Sequence, residues 1–168
     1  MPETQNGTRA LLEEIIAEAR KLLTDYDEYL RGNETATRAL VIDRVLTALG
    51  WDIKDPARVL LEYRSNGNKV DYVLLSSSGK FIAIVEAKSA DSGPKETDRR
   101  QASGYATEIG ARFAVLTNGG RWEAWEMVQE KPRKDSILVE VHLTTGEIPK
   151  IASTLEKLHR DTLEQQVR

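Results

Sequence analysis

The sequence predicts an α/β protein in which a mixed β-sheet is flanked by α-helices, with an extra helix at each end of the chain. A length of 168 residues with 40% hydrophobic and 30% charged residues suits one soluble globular domain. Patterns with helical and strand periodicity alternate along the chain, which is typical of helices packed on a sheet. One segment, 81–85, is apolar at every position, as expected of a central strand covered on both faces.

Two helices are predicted before the first strand. Apolar residues recur at helical spacing over residues 9–30, and Gly32 ends this pattern. Asn33 is a suitable N-cap for a second helix, whose broad apolar stripe continues until Gly50. Residues 1–31 are therefore predicted to form an N-terminal helix that precedes the core.

The remaining elements are strands, one internal helix and a closing helix. Asn118-Gly119 between two apolar stretches is a strong signal for a β-hairpin. Residues 33–143 are predicted to form the core of a single domain, and residues 147–168 a C-terminal helix. In chain order the predicted elements are strands 59–63, 69–75 and 80–87, helix 97–109, strands 112–117, 121–127 and 137–143, and helix 148–163.

The composition excludes several kinds of catalytic site. The chain has no cysteine, so disulfides, thiolate catalysis and cysteine-ligated metal centres are excluded. Its two histidines, His142 and His159, do not lie near other candidate groups, which argues against a Ser-His-Asp triad or a zinc hydrolase. Any chemistry would depend on carboxylates, lysine and hydroxyl groups, and carboxylate oxygens suit magnesium or manganese.

Net charge and hydropathy limit the location and the partners that we expect for this protein. No run reaches the roughly 18 apolar residues that a membrane helix needs, so we expect a cytoplasmic protein without a membrane partner. The net charge of −3 argues against binding nucleic acid through overall basicity. Residues 32–134 nevertheless hold 16 basic and 14 acidic residues, a balance that would suit a polyanion lying over a cation site.

Three charged residues stand at one end of a predicted hairpin. Glu86 and Lys88 lie two residues apart on one strand, so their side chains project to the same face. Folding the hairpin about residues 76–79 places Asp71 opposite the strand end near Glu86. Burying such charges without partners costs several kcal/mol per group, so they either pair with one another at a solvated strand end or hold a cation. Spacing alone leaves both explanations open.

These residues also carry a resemblance to a known family. Asp71 after an apolar strand, followed by "VEAK" at 85–88, resembles the PD-(D/E)xK nuclease superfamily, with Val70 where the motif has proline. From Asn33 to Glu126 the order of motifs resembles the N-terminal nuclease domain of type I restriction enzyme R subunits. The resemblance implies a restriction-endonuclease-like fold, with Asp71 and Glu86 as the two acids of the motif and Lys88 as its lysine.

The same resemblance implies three further site residues. In that family a glutamate on the helix before the sheet joins the acid cluster, and Glu34 is the matching position. An acid in the first turn of a helix is also favourable against the helix dipole without any function. Gln101 and Tyr105 match the Gln-x-x-x-Tyr pattern of family members, and their spacing places both on one helical face. Tyr105 alone would more often be a packed core aromatic.

The activity implied by the resemblance is that of a magnesium-dependent deoxyribonuclease. Asp71, Glu86, Glu34 and the carbonyl of Ala87 would bind Mg²⁺, with Mn²⁺ as an alternative ion. Lys88 would orient or activate the attacking water and offset phosphate charge, although its ordinary pKa of about 10.4 disfavours a role as base. DNA is the implied substrate, and other subunits of a restriction system are implied partners.

Two alternatives compete with the nuclease. One is a module of the same fold that binds nucleic acid or a restriction subunit without cutting. The other is an interaction domain whose terminal helices form a homodimer, although covering their own sheet is commoner. The residues available for such an interface are Leu11, Ile15, Leu22, Leu155, Leu158 and Leu163.

Several other groups have a structural explanation that competes with a functional one. Arg99 and Arg100 could contact phosphates, but a solvated helix start is the preferred interpretation. Trp122 and Trp125 are expected to pack on the sheet rather than to stack on bases. The basic segment 131–134 is predicted to be a solvent-exposed loop.

Overall fold

The computed structural model describes residues 2–91, 93–128 and 133–167 of the chain. It contains one six-stranded sheet with the strands in sequence order, and it confirms the predicted mixed α/β architecture with flanking helices. Strands β3 and β4 are parallel, and the other neighbouring pairs are antiparallel. The strands are β1 Val59–Ser65, β2 Asn68–Leu75, β3 Phe81–Ala87, β4 Phe113–Thr117, β5 Arg121–Glu126 and β6 Ile137–His142.

The two helices predicted before the sheet are each interrupted in the structure. The first predicted helix is present as a long helix and a short one, and a π-helical turn interrupts the second. The Asn33 side chain accepts a hydrogen bond from the backbone N–H of Ala36 at 3.1 Å, which confirms the predicted cap. These elements are α1 Pro2–Asp25, α2 Asp27–Leu30, α3 Glu34–Thr37, the π-helical turn Arg38–Ile42 and α4 Asp43–Ala48.

The C-terminal segment 147–168 does not form the one helix that was predicted. Helix α6 spans Ile148–Leu155, and after a 3₁₀ turn the chain becomes extended at His159 before α7, Arg160–Gln166. At this break, groups from residues about 100 positions earlier in the sequence form hydrogen bonds in place of those within a helix. The N–H of Arg160 donates to the carbonyl of Leu49 at 2.9 Å, and the Trp51 indole N–H donates to the carbonyl of Leu158 at 3.0 Å.

Apolar side chains cover both faces of the sheet. One face packs against α1, α4, α6 and α7, and the other packs against α5, Glu96–Ile109. Strand β3 is buried at every position after Phe81, as its apolar sequence predicts. Val73 and Ile84 belong to the face covered by α5, and because side chains alternate along a strand, Asp71 and Glu86 lie on that same face.

The hairpin between β4 and β5 is present, one residue further along than its sequence signal. Thr117 pairs with Trp122, so Gly119 and Gly120 are the central residues of the turn. Gly119 has a φ of 86°, and a Cβ atom there would lie 2.8 Å from Cγ2 of Thr37. Trp122 and Trp125 are both buried, which confirms that these aromatics pack on the sheet.

Burial also limits the surfaces open to a partner. Leu155, Leu158 and Leu163 are buried within their own chain, so they cannot face a second copy, whereas Leu11 is exposed. Among the described residues, no helix combines the length and the apolar character needed to cross a membrane. Residues 131–132 of the basic segment 131–134 lie outside the described residues.

Candidate active site

Two buried carboxylates face each other where β2 and β3 meet the start of α5. Tyr72 pairs with Val85, which places Asp71 opposite Glu86, as the hairpin pattern predicts. Asp71 is 5% exposed and Glu86 is 6% exposed, so these strand ends do not fray into solvent. Asp71 Oδ2 accepts a hydrogen bond from the backbone N–H of Ala87 at 2.8 Å. Asp71 and Glu86 together are called the acid pair below.

Glu86 carries an oxygen that lacks a hydrogen bond. Its Oε1 accepts from Lys88 Nζ at 3.3 Å, but its Oε2 is buried and has no partner among the described residues. Burial, followed by the negative charge of Asp71, raises the pKa of Glu86 to about 7, even though Lys88 acts to lower it. A buried and unpaired carboxylate oxygen beside a second carboxylate is a suitable ligand for a hard divalent cation.

Lys88 connects the acid pair to α5. Its Nζ donates to Gln101 Oε1 at 3.2 Å, and Gln101 Nε2 donates to Tyr105 Oη at 2.7 Å. The two residues of the Gln-x-x-x-Tyr pattern therefore lie on one helical face next to Lys88, and Tyr105 also packs against the apolar cluster beneath α5. Burial acts to lower the pKa of Lys88, but the attraction and hydrogen bond of Glu86, together with the charges of Asp98 and Asp71, outweigh it. The net pKa is therefore raised and the ammonium stays protonated.

Glu34 lies within electrostatic reach of the acid pair, at the first position of α3. Burial raises its pKa, the charge of Asp71 raises it further, and Lys88 lowers it. In the ranges 2–91, 93–128 and 133–167, however, no three histidine, aspartate or glutamate side chains are grouped closely enough to hold a metal ion. The geometry thus brings Asp71 and Glu86 together, and a ligand role for Glu34 remains a prediction.

Two residues that sequence reasoning did not select also contact this site. Arg38 Nη1 lies 2.7 Å from Glu62 Oε1 and 3.4 Å from Asp71 Oδ1. Arg38 follows Glu34 by four residues, which places both on one helical face and is the signal that could have identified it. Glu62 has no comparable signal, because only the folding of β1 against β2 brings it near Asp71.

Arg99 does not have the environment that was predicted for it. Its guanidinium Nε and Nη2 donate to the two carboxylate oxygens of buried Glu123 at 2.7 and 2.8 Å, which joins α5 to β5. The prediction of a solvated helix start was therefore wrong for Arg99, because a strand residue 24 positions later supplies a buried partner. Arg100 has a side chain that is 79% exposed, as expected.

The raised pKa of Glu86 predicts a pH-dependent stability. The folded-state pKa is about 7 and the ordinary value is 4.5, so between them the folded protein binds more protons than the unfolded chain. This carboxyl therefore lowers the free energy of unfolding as the pH rises through this window, by about 3 kcal/mol in total. We expect Glu86→Gln to be more stable than the parent protein by that amount at about pH 8, and similar to it at about pH 4.5.

Urea unfolding in the presence of a chelator would measure this difference at both pH values. Glu140→Gln is the matched control, because Glu140 is an exposed strand residue and should show no comparable change between the two conditions. Equal stability of Glu86→Gln and the parent protein at about pH 8 would contradict the prediction.

Comparisons with known proteins identify a family over most of the chain. The family model described as type I restriction enzyme R protein N terminus matches residues 33–143. No curated protein sequence matches the chain.

Two solved structures are similar to the chain over parts of their length. One is the type IIG restriction endonuclease BpuSI, with 14% identity and a TM-score of 0.49 over 95% of this chain and 16% of that chain. The other is a fragment of a protein described as an HsdR subunit of a type I restriction enzyme from Vibrio vulnificus YJ016. It has 24% identity and a TM-score of 0.46 over 74% of this chain and 25% of that chain. The chain thus spans a quarter or less of either structure's length.

Proposed function

The chain belongs to the family of type I restriction enzyme R protein N-terminal domains, and we propose that it is a metal-dependent nuclease that hydrolyses phosphodiester bonds in DNA. The observation that carries this proposal is the acid pair, in which Glu86 Oε2 is buried without a hydrogen bond beside Asp71 and the Lys88 ammonium. In a purely structural ion pair, by contrast, buried carboxylate oxygens usually have hydrogen-bond partners.

The residues at this sheet edge fit a hard divalent cation. Glu86 Oε2 and Asp71 Oδ1 are the proposed carboxylate ligands, with the carbonyl of Ala87 and the side chain of Glu34 completing the proposed set. When bound there, Mg²⁺ or Mn²⁺ supplies Lewis-acid stabilisation of the negative charge that develops on the phosphate. The N–H of Ala87 donates to Asp71 Oδ2, so Oδ1 is the oxygen of Asp71 that we assign to the cation.

Lys88 acts in this proposal as a cation rather than as a base. Its raised pKa keeps the ammonium protonated at neutral pH, so it donates to phosphate oxygens or to the attacking water. Gln101 positions this ammonium through its side-chain oxygen, and Tyr105 is in turn the acceptor that orients the amide of Gln101.

A cleavage assay tests the proposal. Supercoiled plasmid and linear DNA would be incubated with the protein in magnesium, in manganese and in excess chelator. We expect cleavage with either ion and none with the chelator, because the charge on the phosphate is not offset without the cation.

A module that binds DNA or another restriction subunit without cutting is the second candidate. It is favoured by the contact between Arg38 and Asp71, because a protein cation already compensates one member of the acid pair. DNA binding that persists in chelator, without cleavage in either ion, would support this module. Absence of both binding and cleavage would support the interaction domain.

A further inference from the structure

The backbone is irregular at two positions that flank Asp71. Arg38 is the first residue of the π-helical turn Arg38–Ile42, which interrupts the helix before the sheet. Glu62 has a φ of 53°, and it occupies the position of β1 opposite Asp71, where the pairing of β1 with β2 is interrupted. Both kinds of irregularity carry strain and occur preferentially at functional sites. Each of them places a charged side chain next to the acid pair.

One guanidinium nitrogen is shared between two carboxylates. Arg38 Nη1 donates to Glu62 Oε1 at 2.7 Å, whereas its distance to Asp71 Oδ1 is 3.4 Å. The shorter contact has the geometry of a charge-assisted hydrogen bond, and the longer one is at the limit of any hydrogen bond. Arg38 thus sits nearer to Glu62, while its side chain is only 17% exposed.

The rest of the Arg38 side chain is held in place from other directions. Its Nε donates to Tyr72 Oη at 3.1 Å, and the guanidinium carbon lies 4.7 Å from the centre of the Tyr72 ring. Tyr72 Oη in turn donates to Asp43 Oδ1 at 2.6 Å. Lys69 Nζ lies 2.7 Å from Glu62 Oε2, so it holds the second oxygen of Glu62. A small rotation about this anchor would move Nη1 between Glu62 and Asp71.

We propose that Arg38 is a positioning residue that competes with the divalent cation for Asp71, and that Glu62 holds Arg38 aside when the cation binds. This inference rests on the proposed function, because it concerns occupancy of the same acid pair. Without a cation, Arg38 compensates the buried charge of Asp71, which would otherwise be costly. A divalent ion at Asp71 repels the guanidinium, and Glu62, which already accepts from Nη1 at 2.7 Å, holds the guanidinium away from the ion.

Binding of Mn²⁺ alone, measured by isothermal titration calorimetry, tests the competition without relying on activity. Arg38→Met is expected to bind Mn²⁺ at least about fivefold more tightly, the effect of removing one unit charge a few ångströms away even in water. Glu62→Gln is expected to bind it about fivefold more weakly, because Arg38 then remains at Asp71. Arg64→Gln is the matched control for charge, since Arg64 is an exposed residue of the same strand as Glu62.

The double variant separates an indirect role of Glu62 from a direct one. If Glu62 acts by holding Arg38, Glu62→Gln has no further effect in the Arg38→Met background. The proposal would be overturned if Glu62→Gln weakened Mn²⁺ binding equally in the parent protein and in Arg38→Met. It would also be overturned if Arg38→Met bound Mn²⁺ more weakly than the parent protein, or equally well. Glu62 is half exposed, so its single variant should fold even if Arg38→Met does not. Unchanged Mn²⁺ binding by Glu62→Gln would then by itself overturn the proposal.

The parent protein distinguishes this inference from the proposed function. Binding of Mn²⁺ without any DNA cleavage would contradict the proposed nuclease activity. The variants would then still decide whether Arg38 competes with the cation for Asp71. Absence of Mn²⁺ binding by the parent protein would contradict both.

Discussion

Asp71→Asn is expected to abolish DNA cleavage and to weaken Mn²⁺ binding at least about tenfold. The amide keeps the size of the side chain but removes a full negative charge from the acid pair, where Asp71 is 5% exposed. The Asn side chain retains one oxygen that can accept from the N–H of Ala87, so the fold should persist. Cleavage would be followed on supercoiled plasmid, and binding by calorimetry. Asp25→Asn, at the exposed end of α1, is the control with the same change of charge.

Lys88→Met is expected to separate chemistry from metal binding. The methionine keeps the apolar stem of Lys88 but loses the ammonium that contacts Glu86 and Gln101, so we expect cleavage to be slowed by about 100-fold or more. Binding of Mn²⁺ should be retained or strengthened, because a positive charge next to Glu86 is removed. Gln101→Ala should slow cleavage less, since it disturbs only the position of the ammonium.

Single-turnover cleavage rates with saturating metal would measure this effect. Lys80→Met is the matched control, because Lys80 is exposed at the opposite end of the same hairpin. A Lys88→Met variant that cleaves as fast as the parent protein would show that the ammonium has no part in the reaction.

Glu123→Gln is expected to destabilise the fold by about 3 to 5 kcal/mol, because it breaks a buried ion pair by removing one partner. Glu123 is 4% exposed and receives both Nε and Nη2 of Arg99, whose side chain is 16% exposed. The substitution would remove the close carboxylate partner of the partly buried Arg99 guanidinium, and the longer contact with exposed Glu96, at 3.6 Å, would remain. The consequence should extend to the site, because Arg99 precedes Gln101 on α5 by only two residues.

Urea unfolding curves would measure this loss. The double variant Arg99→Met, Glu123→Gln should recover part of the stability, because neither charge then remains buried. Arg100→Met is the control on the same helix and should change the stability by less than about 0.5 kcal/mol. A loss in Glu123→Gln no larger than in this control would show that the pair contributes little.

Short-range patterns were sufficient for much of the fold and for the centre of the site. Alternation of apolar residues indicated the strands, Asn33 indicated a helix start, and Asn118 with Gly119 indicated a hairpin. The same two-residue period placed Glu86 and Lys88 on one face, and the length of the hairpin placed Asp71 opposite Glu86. These features depend on residues that are close in the sequence, or that a single tight turn brings together.

Only the tertiary structure determined the remaining contacts. Arg99 and Glu123 are joined because α5 lies across the sheet, and the closing helix breaks because Leu49 and Trp51 supply competing hydrogen bonds. The left-handed backbone of Glu62 also has no local signal, because glutamate does not favour that conformation.

The sequence by itself determined which segments have the apolar alternation of strands and which residue can begin a helix. It also determined which three charged residues stand at the end of one hairpin. The tertiary structure decided which remote cations compensate those charges and which carboxylate oxygen remains unpaired. The physical reason is the range of the interactions. Backbone periodicity and turn geometry act over a few residues, whereas burial and charge pairing depend on elements that the chain topology brings together from tens of residues apart.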